Sequence, residues 1–194
     1  MNNAEKDALE NLVLAPYLQK ATALIGKRRR VGGNQFRHAM ATLAILIDYH
    51  VTDPIILKAS VIHDLLEDVP ATDPEEIARI DADGREVLRL VREVTRGRES
   101  KLQYLERLRE HGSKRAKTLK VADRLSNLTD LHLGVFGHDF MRRYVQETAE
   151  YVVPMAFEVN ANMAIELQDL LEARRLTLEP PRDTVDSGNA EKRE

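Results

Sequence analysis

The sequence predicts an all-α protein that forms a single helical bundle. Apolar residues recur at spacings of three and four along nearly every segment, and the strict alternation typical of strands is rare. Helix starts are also marked, because Asp53-Pro54 and Asp73-Pro74 each place a capping aspartate before a proline at the first helical position. At 194 residues, the chain is long enough to bury one substantial core.

Further signals divide the chain into helices. Asp83 and Glu86 form a capping-box pattern, and Ser113 is placed to cap a helix that Gly134 ends. The predicted helices cover residues 4–25, 35–50, 54–68, 74–80, 84–95, 101–111, 114–133 and 139–173. Pro154 lies inside the last of these, so we expect that helix to be kinked or broken just before the proline.

Residues 1–178 are predicted to form the folded domain, and residues 179–194 a disordered tail. The segment PPRDTVDSGNAEKRE has almost nothing to bury, so it cannot contribute to a core. The sequence leaves open whether the domain forms a homo-oligomer.

The composition excludes several classes of protein. With 43% apolar residues, 31% charged residues and a net charge of -3, the chain resembles ordinary globular proteins and has no basic excess for nucleic-acid binding. Because cysteine is absent, a metal must be bound by nitrogen and oxygen atoms. The chain start has no secretion-signal pattern, and no apolar run is long enough to span a membrane. We therefore expect a cytoplasmic protein.

The segment ASVIHDLLEDVP carries the most informative polar residues. His63 and Asp64 lie in the middle of a predicted apolar helix, where an ionised carboxylate needs a compensating charge or metal. Imidazole beside carboxylate is a common ligand pair for a divalent cation. Glu67 and Asp68 follow one turn later and extend the same faces with two more carboxylates.

Two other predicted helices each supply one further candidate ligand. His38 opens the apolar run HAMATLAILIDYH, and Asp123 lies in LKVADRLSNL, where an unpaired aspartate would be unfavourable. Two histidines and two aspartates form a set of ligands that suits manganese, iron or zinc.

Each residue has another explanation when it is taken alone. His38 could be a satisfied core histidine, Asp123 could pair with Arg124 or a lysine, and an isolated His-Asp pair could lie at the surface or cap a helix. Glu67 and Asp68 could end a solvated helix. The joint pattern favours a metal site. The other histidines are assigned to the surface or the core, namely His50, His111, His132 and His138.

The order H…HD…D resembles the signature of the HD superfamily of metal-dependent phosphohydrolases. The runs HDLLEDV, LKVADRLSNL, REVTRG and QETAEYVVPMA further resemble segments of the RelA/SpoT-type hydrolases, which remove the 3′-pyrophosphate from the alarmones ppGpp and pppGpp. The likeness extends from about residue 24 to residue 172. It implies an HD-domain helical bundle that acts as a stand-alone small alarmone hydrolase.

The resemblance also implies a role for particular residues. One metal ion, commonly manganese with zinc or iron as alternatives, is bound by His38, His63, Asp64 and Asp123. The attacking water is activated or oriented by Glu67 and Asp68. The nucleotide is contacted by Arg29, Arg30, Arg96, Asn127 and Arg143, with Asn127 at the nucleoside and Arg96 and Arg143 at phosphate.

Two departures from the family pattern fall at the nucleoside pocket. The family's approach to the first histidine reads VGGNQFRHAM here, and the family's threonine after the asparagine is Asp130. We therefore keep two alternatives beside alarmone hydrolysis. One is hydrolysis of another nucleotide, such as NADPH or a nucleoside monophosphate, and the other is an HD domain that binds an alarmone without catalysis.

Overall fold

The computed structural model describes residues 1–178, and these residues form a bundle of helices. The α-helices are α1 (Asn3–Glu10), α2 (Ala15–Ala21), α3 (Gln35–Asp48), α4 (Pro54–Ser60), α5 (Leu65–Asp68), α6 (Pro74–Ala78), α7 (Gly84–Val94), α8 (Lys101–His111), α9 (Lys114–Asp130), α10 (His138–Glu147), α11 (Val153–Val159) and α12 (Ala161–Leu176). Short 3₁₀ turns cover Thr22–Leu24 and Leu131–Leu133, and a π-helical segment covers Thr148–Val152.

The all-α prediction is confirmed. Within residues 1–178 there is no strand, and Arg28 and Asn34 form an isolated bridge. No helix in this range is both long and apolar enough to cross a membrane. The predicted disordered tail, residues 179–194, lies outside the described residues.

Helix α9 lies at the centre of the bundle. It packs against α3, α4, α7, α8, α11 and α12, so that nearly every side of it is covered. Apolar residues such as Leu119, Val121 and Leu125 are buried on it, and so are the charged residues Asp123 and Arg124. A helix that is buried on most of its sides brings the polar side chains on those sides into the core.

Most of the predicted helix starts have the expected caps. The carboxylate of Asp53 accepts hydrogen bonds from two backbone amides of α4, and the hydroxyl of Ser113 accepts one from Ala116 in α9. Asp83 precedes α7 as predicted, but its side chain makes no capping bond. Its carboxylate is instead 2.7 Å from the ammonium of Lys58.

The predicted helix over residues 54–68 is wrong at its centre, because the chain forms a turn at residues 61–64 between α4 and α5. The ring nitrogen Nδ1 of His63 lies 2.7 Å from the carbonyl oxygen of Ser60. The amides of Ile62 and Leu65 bond to carbonyls three residues earlier, which is tighter than an α-helix. His63 and Asp64 therefore lie in this turn rather than inside a helix.

Two other predicted helices are divided. The first ends at Glu10 and restarts at Ala15, because Pro16 favours the beginning of a new helix. The last is interrupted by the π-helical segment Thr148–Val152 shortly before Pro154, where a kink or break was expected, and it has a second break at Asn160. The side chain of Asn160 accepts hydrogen bonds from two amides and so begins α12.

A group of charged residues connects α2, α4 and the start of α7. The ammonium of Lys58, a residue with 5% exposure, lies 2.7 Å from carboxylate oxygens of both Asp81 and Asp83. The hydroxyl of the fully buried Tyr17 donates to Asp81 over 2.7 Å. Burial would raise the pKa of Asp81, but the hydrogen bonds from Lys58 and Tyr17 outweigh it and lower the pKa.

We expect Asp81→Ala to reduce the free energy of unfolding at neutral pH by about 2 kcal/mol, because two donors lose a charged acceptor. Since folding lowers the pKa of Asp81, its contribution is complete above the unfolded pKa of about 3.9 and is lost as the pH falls through the folded value. Urea unfolding at a series of pH values from neutral to acid measures this loss of stability. The exposed substitution Asp169→Ala is the control, with a change within about 0.5 kcal/mol, and an equal loss there would contradict the assignment.

Candidate metal centre and substrate cleft

The structure brings the four predicted metal ligands together. His38 extends from α3, His63 and Asp64 from the turn at residues 61–64, and Asp123 from α9. One ligand atom from each of His38, His63 and Asp64 lies within 4.8 Å of the other two. Asp123 closes the group, because its Oδ1 is 3.0 Å from Nε2 of His38 and 3.8 Å from Nε2 of His63.

The Nε2 atom of His63 tests whether these residues fit a metal. It is buried and has no hydrogen-bond partner within residues 1–178. Because Nδ1 faces the Ser60 carbonyl, Nδ1 carries the proton of a neutral ring and the Nε2 lone pair faces the carboxylate of Asp64 at 3.3 Å. A lone pair and a carboxylate repel each other unless a proton or a metal cation lies between them. The ligand set therefore fits a divalent metal.

The neighbouring carboxylates also raise the proton affinity of His63. Burial lowers the pKa of His63, but the negative charges of Asp64 and Asp123 outweigh it and raise the pKa to about 9. Burial also opposes ionisation of Asp123, yet the ammonium of Lys120 and the two histidine rings hold the pKa of Asp123 well below its usual range. Both shifts show a buried negative site that favours positive charge.

Two residues on α9 orient the candidate ligands. The hydroxyl of Ser126 lies 2.9 Å from Nδ1 of His38, so it fixes the ring with Nε2 toward the cluster. The amide of Asn127 donates to Oδ1 of Asp123 over 2.6 Å. Such outer partners hold metal ligands in place and commonly affect metal affinity.

The two predicted water-activating carboxylates lie beyond Asp64. Glu67 accepts a hydrogen bond from the backbone amide of Arg96 over 2.6 Å, and Asp68 accepts one from the side chain of Gln35 over 2.7 Å. Loss of hydration raises the pKa of Glu67, the Arg96 amide opposes this, and the charge of Asp64 adds to it. The pKa of Asp68 is also raised, first by loss of hydration and then by Asp64. Raised values suit a general base near neutral pH.

A cleft with two pockets surrounds the candidate ligands. We call them the small pocket, of about 170 Å³, and the large pocket, of about 360 Å³. Both include Asp64, Lys120 and Asp123, so the metal cluster lies at their boundary. The other charged residues that line the small pocket are Glu67, Arg96, Lys101 and Arg124. The large pocket also contains Arg28, Arg29, Arg30, Asn127, Phe136, Phe140 and Tyr144.

The predicted nucleotide contacts are divided between these pockets. Arg29 donates to the Asn127 side chain over 2.8 Å and to Asp130 over 3.3 Å, at the edge of the large pocket. Arg30 lines the same pocket, and Arg96 lines the small one. Arg143 is exposed on α10 and is absent from the lining of both pockets.

Sequence reasoning missed an aromatic stack in the large pocket. The rings of Phe136 and Phe140 lie 4.7 Å apart, and those of Phe140 and Tyr144 lie 5.8 Å apart, each pair nearly parallel. The spacing of four residues could have identified Phe140 and Tyr144, because it aligns side chains on one face of α10, whereas Phe136 precedes that helix. Ser126 was also missed, although it lies three residues after Asp123.

No protein-family model matches the chain. Curated relatives do match. The guanosine-3′,5′-bis(diphosphate) 3′-pyrophosphohydrolase MESH1 of Mus musculus is 36% identical over 138 residues, which cover 66% of this chain and 73% of that protein. The chain belongs to the MESH1 family. MESH1 of Drosophila melanogaster is 33% identical, and the alignment covers 72% of this chain and 80% of that protein.

A solved structure and longer bacterial proteins extend this result. A structure described as a metazoan ortholog of SpoT that hydrolyses ppGpp has a TM-score of 0.73 and 27% identity, with 84% of this chain and 96% of that chain covered. The GTP pyrophosphokinase rsh of Brucella melitensis is 29% identical over 84% of this chain, which corresponds to 22% of that protein. The resemblance to RelA/SpoT-type hydrolases is thus confirmed together with MESH1 membership.

His63→Ala is expected to lower the affinity of this MESH1-family protein for manganese by more than about tenfold, because it removes a candidate ligand. Metal content after dialysis, measured by mass spectrometry, gives the result. His111→Ala is the matched control, since His111 is 77% exposed and remote from the cluster. Equal retention of metal by both variants would place the metal elsewhere.

Ser126→Ala tests the orientation of His38. We expect metal affinity to fall by about tenfold, with little change in melting temperature, because the ring loses the partner of Nδ1. Titration of the metal-depleted protein with manganese measures the affinity. Thr129→Ala removes an exposed hydroxyl from the same helix and should leave the affinity for manganese unchanged. If both variants bind manganese like the wild type, Ser126 does not position His38.

Proposed function

We propose that this protein hydrolyses the 3′-pyrophosphate of ppGpp and pppGpp to give GDP or GTP and pyrophosphate. The convergence of His38, His63, Asp64 and Asp123 at the boundary of two unlike pockets carries this proposal. Membership of the MESH1 family supports the substrate class. The aromatic and arginine-lined large pocket suits a nucleoside with a 5′-diphosphate.

We assign the four converging side chains as ligands of one divalent metal, with manganese as the proposed ion and zinc or iron as alternatives. When bound, the ion would supply Lewis acidity at a phosphoryl oxygen and lower the pKa of water. The unpartnered Nε2 of His63 supports this assignment. A cytoplasmic location remains a prediction.

Glu67 and Asp68 are proposed to take the proton of the attacking water and to hold that water in line. The water oxygen forms a bond to the phosphorus next to the ribose, and the bond from that phosphorus to the 3′-oxygen breaks. The 3′-oxygen keeps the electron pair and takes a proton, which completes GDP. The absence of cysteine agrees with direct attack by water.

The nucleoside is proposed to lie in the large pocket. Arg29 and Asn127 already contact each other there and present polar groups to a bound nucleotide. Arg30 would contact the 5′-phosphates, and the base would stack on the rings of Phe136 and Phe140. Arg96 is proposed to reach phosphate from the small pocket, while a phosphate contact for Arg143 remains a prediction.

The defining experiment measures GDP and pyrophosphate release from ppGpp by the manganese-loaded protein. We expect turnover by the wild type, a loss of about a hundredfold or more in Glu67→Gln because a general base is removed, and full activity in the control Glu172→Gln. Glu172 is a largely exposed residue on α12.

The same assay separates the alternatives. NADPH and nucleoside monophosphates are supplied beside ppGpp, and a preference for either would replace the alarmone as substrate. Binding of ppGpp without any release of pyrophosphate would indicate a non-catalytic HD domain.

A further inference from the structure

In the part of the chain that the structure describes, Arg124 is a buried cation without an anionic partner. The residue is 2% exposed, and within residues 1–178 no carboxylate forms an ion pair with it. One guanidinium nitrogen donates to the hydroxyl of Thr148 over 2.8 Å, and the guanidinium lies 4.3 Å from the centre of the Tyr144 ring. Its Nε atom has no acceptor among the described residues. A buried, unpaired charge is costly, so a site of this kind favours an anion.

The small pocket, which Arg124 lines, is rich in other cations. Lys120 lies 2.7 Å from Oδ2 of Asp123, and Lys101 pairs with Glu147 at the pocket edge. Arg96 completes the set, so four cations face the carboxylates of Asp64, Glu67 and Asp123, and Glu147 adds a fourth carboxylate at the edge. A divalent metal at the candidate ligands would add further positive charge. The charge of the pocket therefore complements a polyanion.

The two pockets differ in size and lining. The small pocket has about half the volume of the large one, and the row of three stacked rings belongs to the large one. Tyr104 is the aromatic residue of the small pocket, and its hydroxyl donates to the carbonyl of Val94. The large pocket therefore suits the nucleoside, and the small pocket suits a compact, highly charged group.

We propose that the small pocket binds the pyrophosphoryl group that is removed from the substrate, with Arg124 as its buried anchor and Lys101 at its rim. This inference rests on the proposed function and fixes the direction of the substrate. The base and ribose lie in the large pocket, the bond to the 3′-oxygen lies beside Asp64 and Asp123, and the terminal phosphate enters the small pocket.

The test compares the two products as ligands of the manganese-loaded protein. Calorimetry gives the affinity for inorganic pyrophosphate and for GDP in the wild type, Lys101→Gln and Arg124→Lys. We expect each variant to bind pyrophosphate about tenfold more weakly, because a charge-assisted hydrogen bond is lost, and to bind GDP as the wild type does. Lys114→Gln, an exposed lysine at the start of α9, is the matched control and should change neither affinity.

Arg124→Lys keeps the positive charge but removes Nε and the planar contact, so its melting temperature is measured first. If it unfolds, Lys101→Gln decides the result, because this side chain lies at the pocket rim. Equal weakening of pyrophosphate and GDP, or no weakening of either, would overturn the inference.

Turnover of ppGpp is measured separately. If the variants bind pyrophosphate selectively more weakly but the wild type does not turn over ppGpp, the pocket assignment stands and the proposed function is rejected. Turnover with unchanged pyrophosphate affinity in both variants would reject the pocket assignment alone.

Discussion

The burial of helix α9 on nearly every side is the constraint on which the site depends. This helix carries Lys120, Asp123 and Arg124 into the interior, where each charge needs a partner. Asp123 satisfies Lys120 and contacts the ring of His38, whereas among residues 1–178 Arg124 contacts a hydroxyl and a ring but no carboxylate. One central helix thus provides a negative cluster and, one residue later, a positive pocket.

The turn at residues 61–64 complements this arrangement. A continuous α-helix would direct His63 and Asp64 to different faces, about 100° apart around the axis. In the structure, the Ser60 carbonyl contacts the His63 ring, and both side chains face the same cluster. The local loss of regular helix is therefore tied to the site, because it allows two adjacent residues to act together. Glu67 and Asp68 then follow on α5 at the edge of the cleft.

The predicted ligands and their tertiary arrangement illustrate what the sequence can show. His38, His63, Asp64 and Asp123 were identified because each is a polar residue in an apolar segment, and burial in a core makes such a residue costly without a partner. Periodicity also gave most helix bounds correctly. It failed between Glu10 and Ala15, at Asn160 and in the turn after Ser60. At the last two places side chains compete with backbone groups for hydrogen bonds, and apolar spacing does not record that competition.

By itself, the sequence determined the helical class, the capping of α4 and α9, and the resemblance that family membership later confirmed. Only the tertiary structure decided which groups share a pocket. Arg124 could have paired with Asp123, its neighbour in sequence, but adjacent residues on a helix point in different directions, and Lys120 takes that place one turn away. Packing likewise decided the roles of the Ser126 hydroxyl and of the stacked rings of Phe136, Phe140 and Tyr144. Contacts between helices depend on distances that no local pattern encodes.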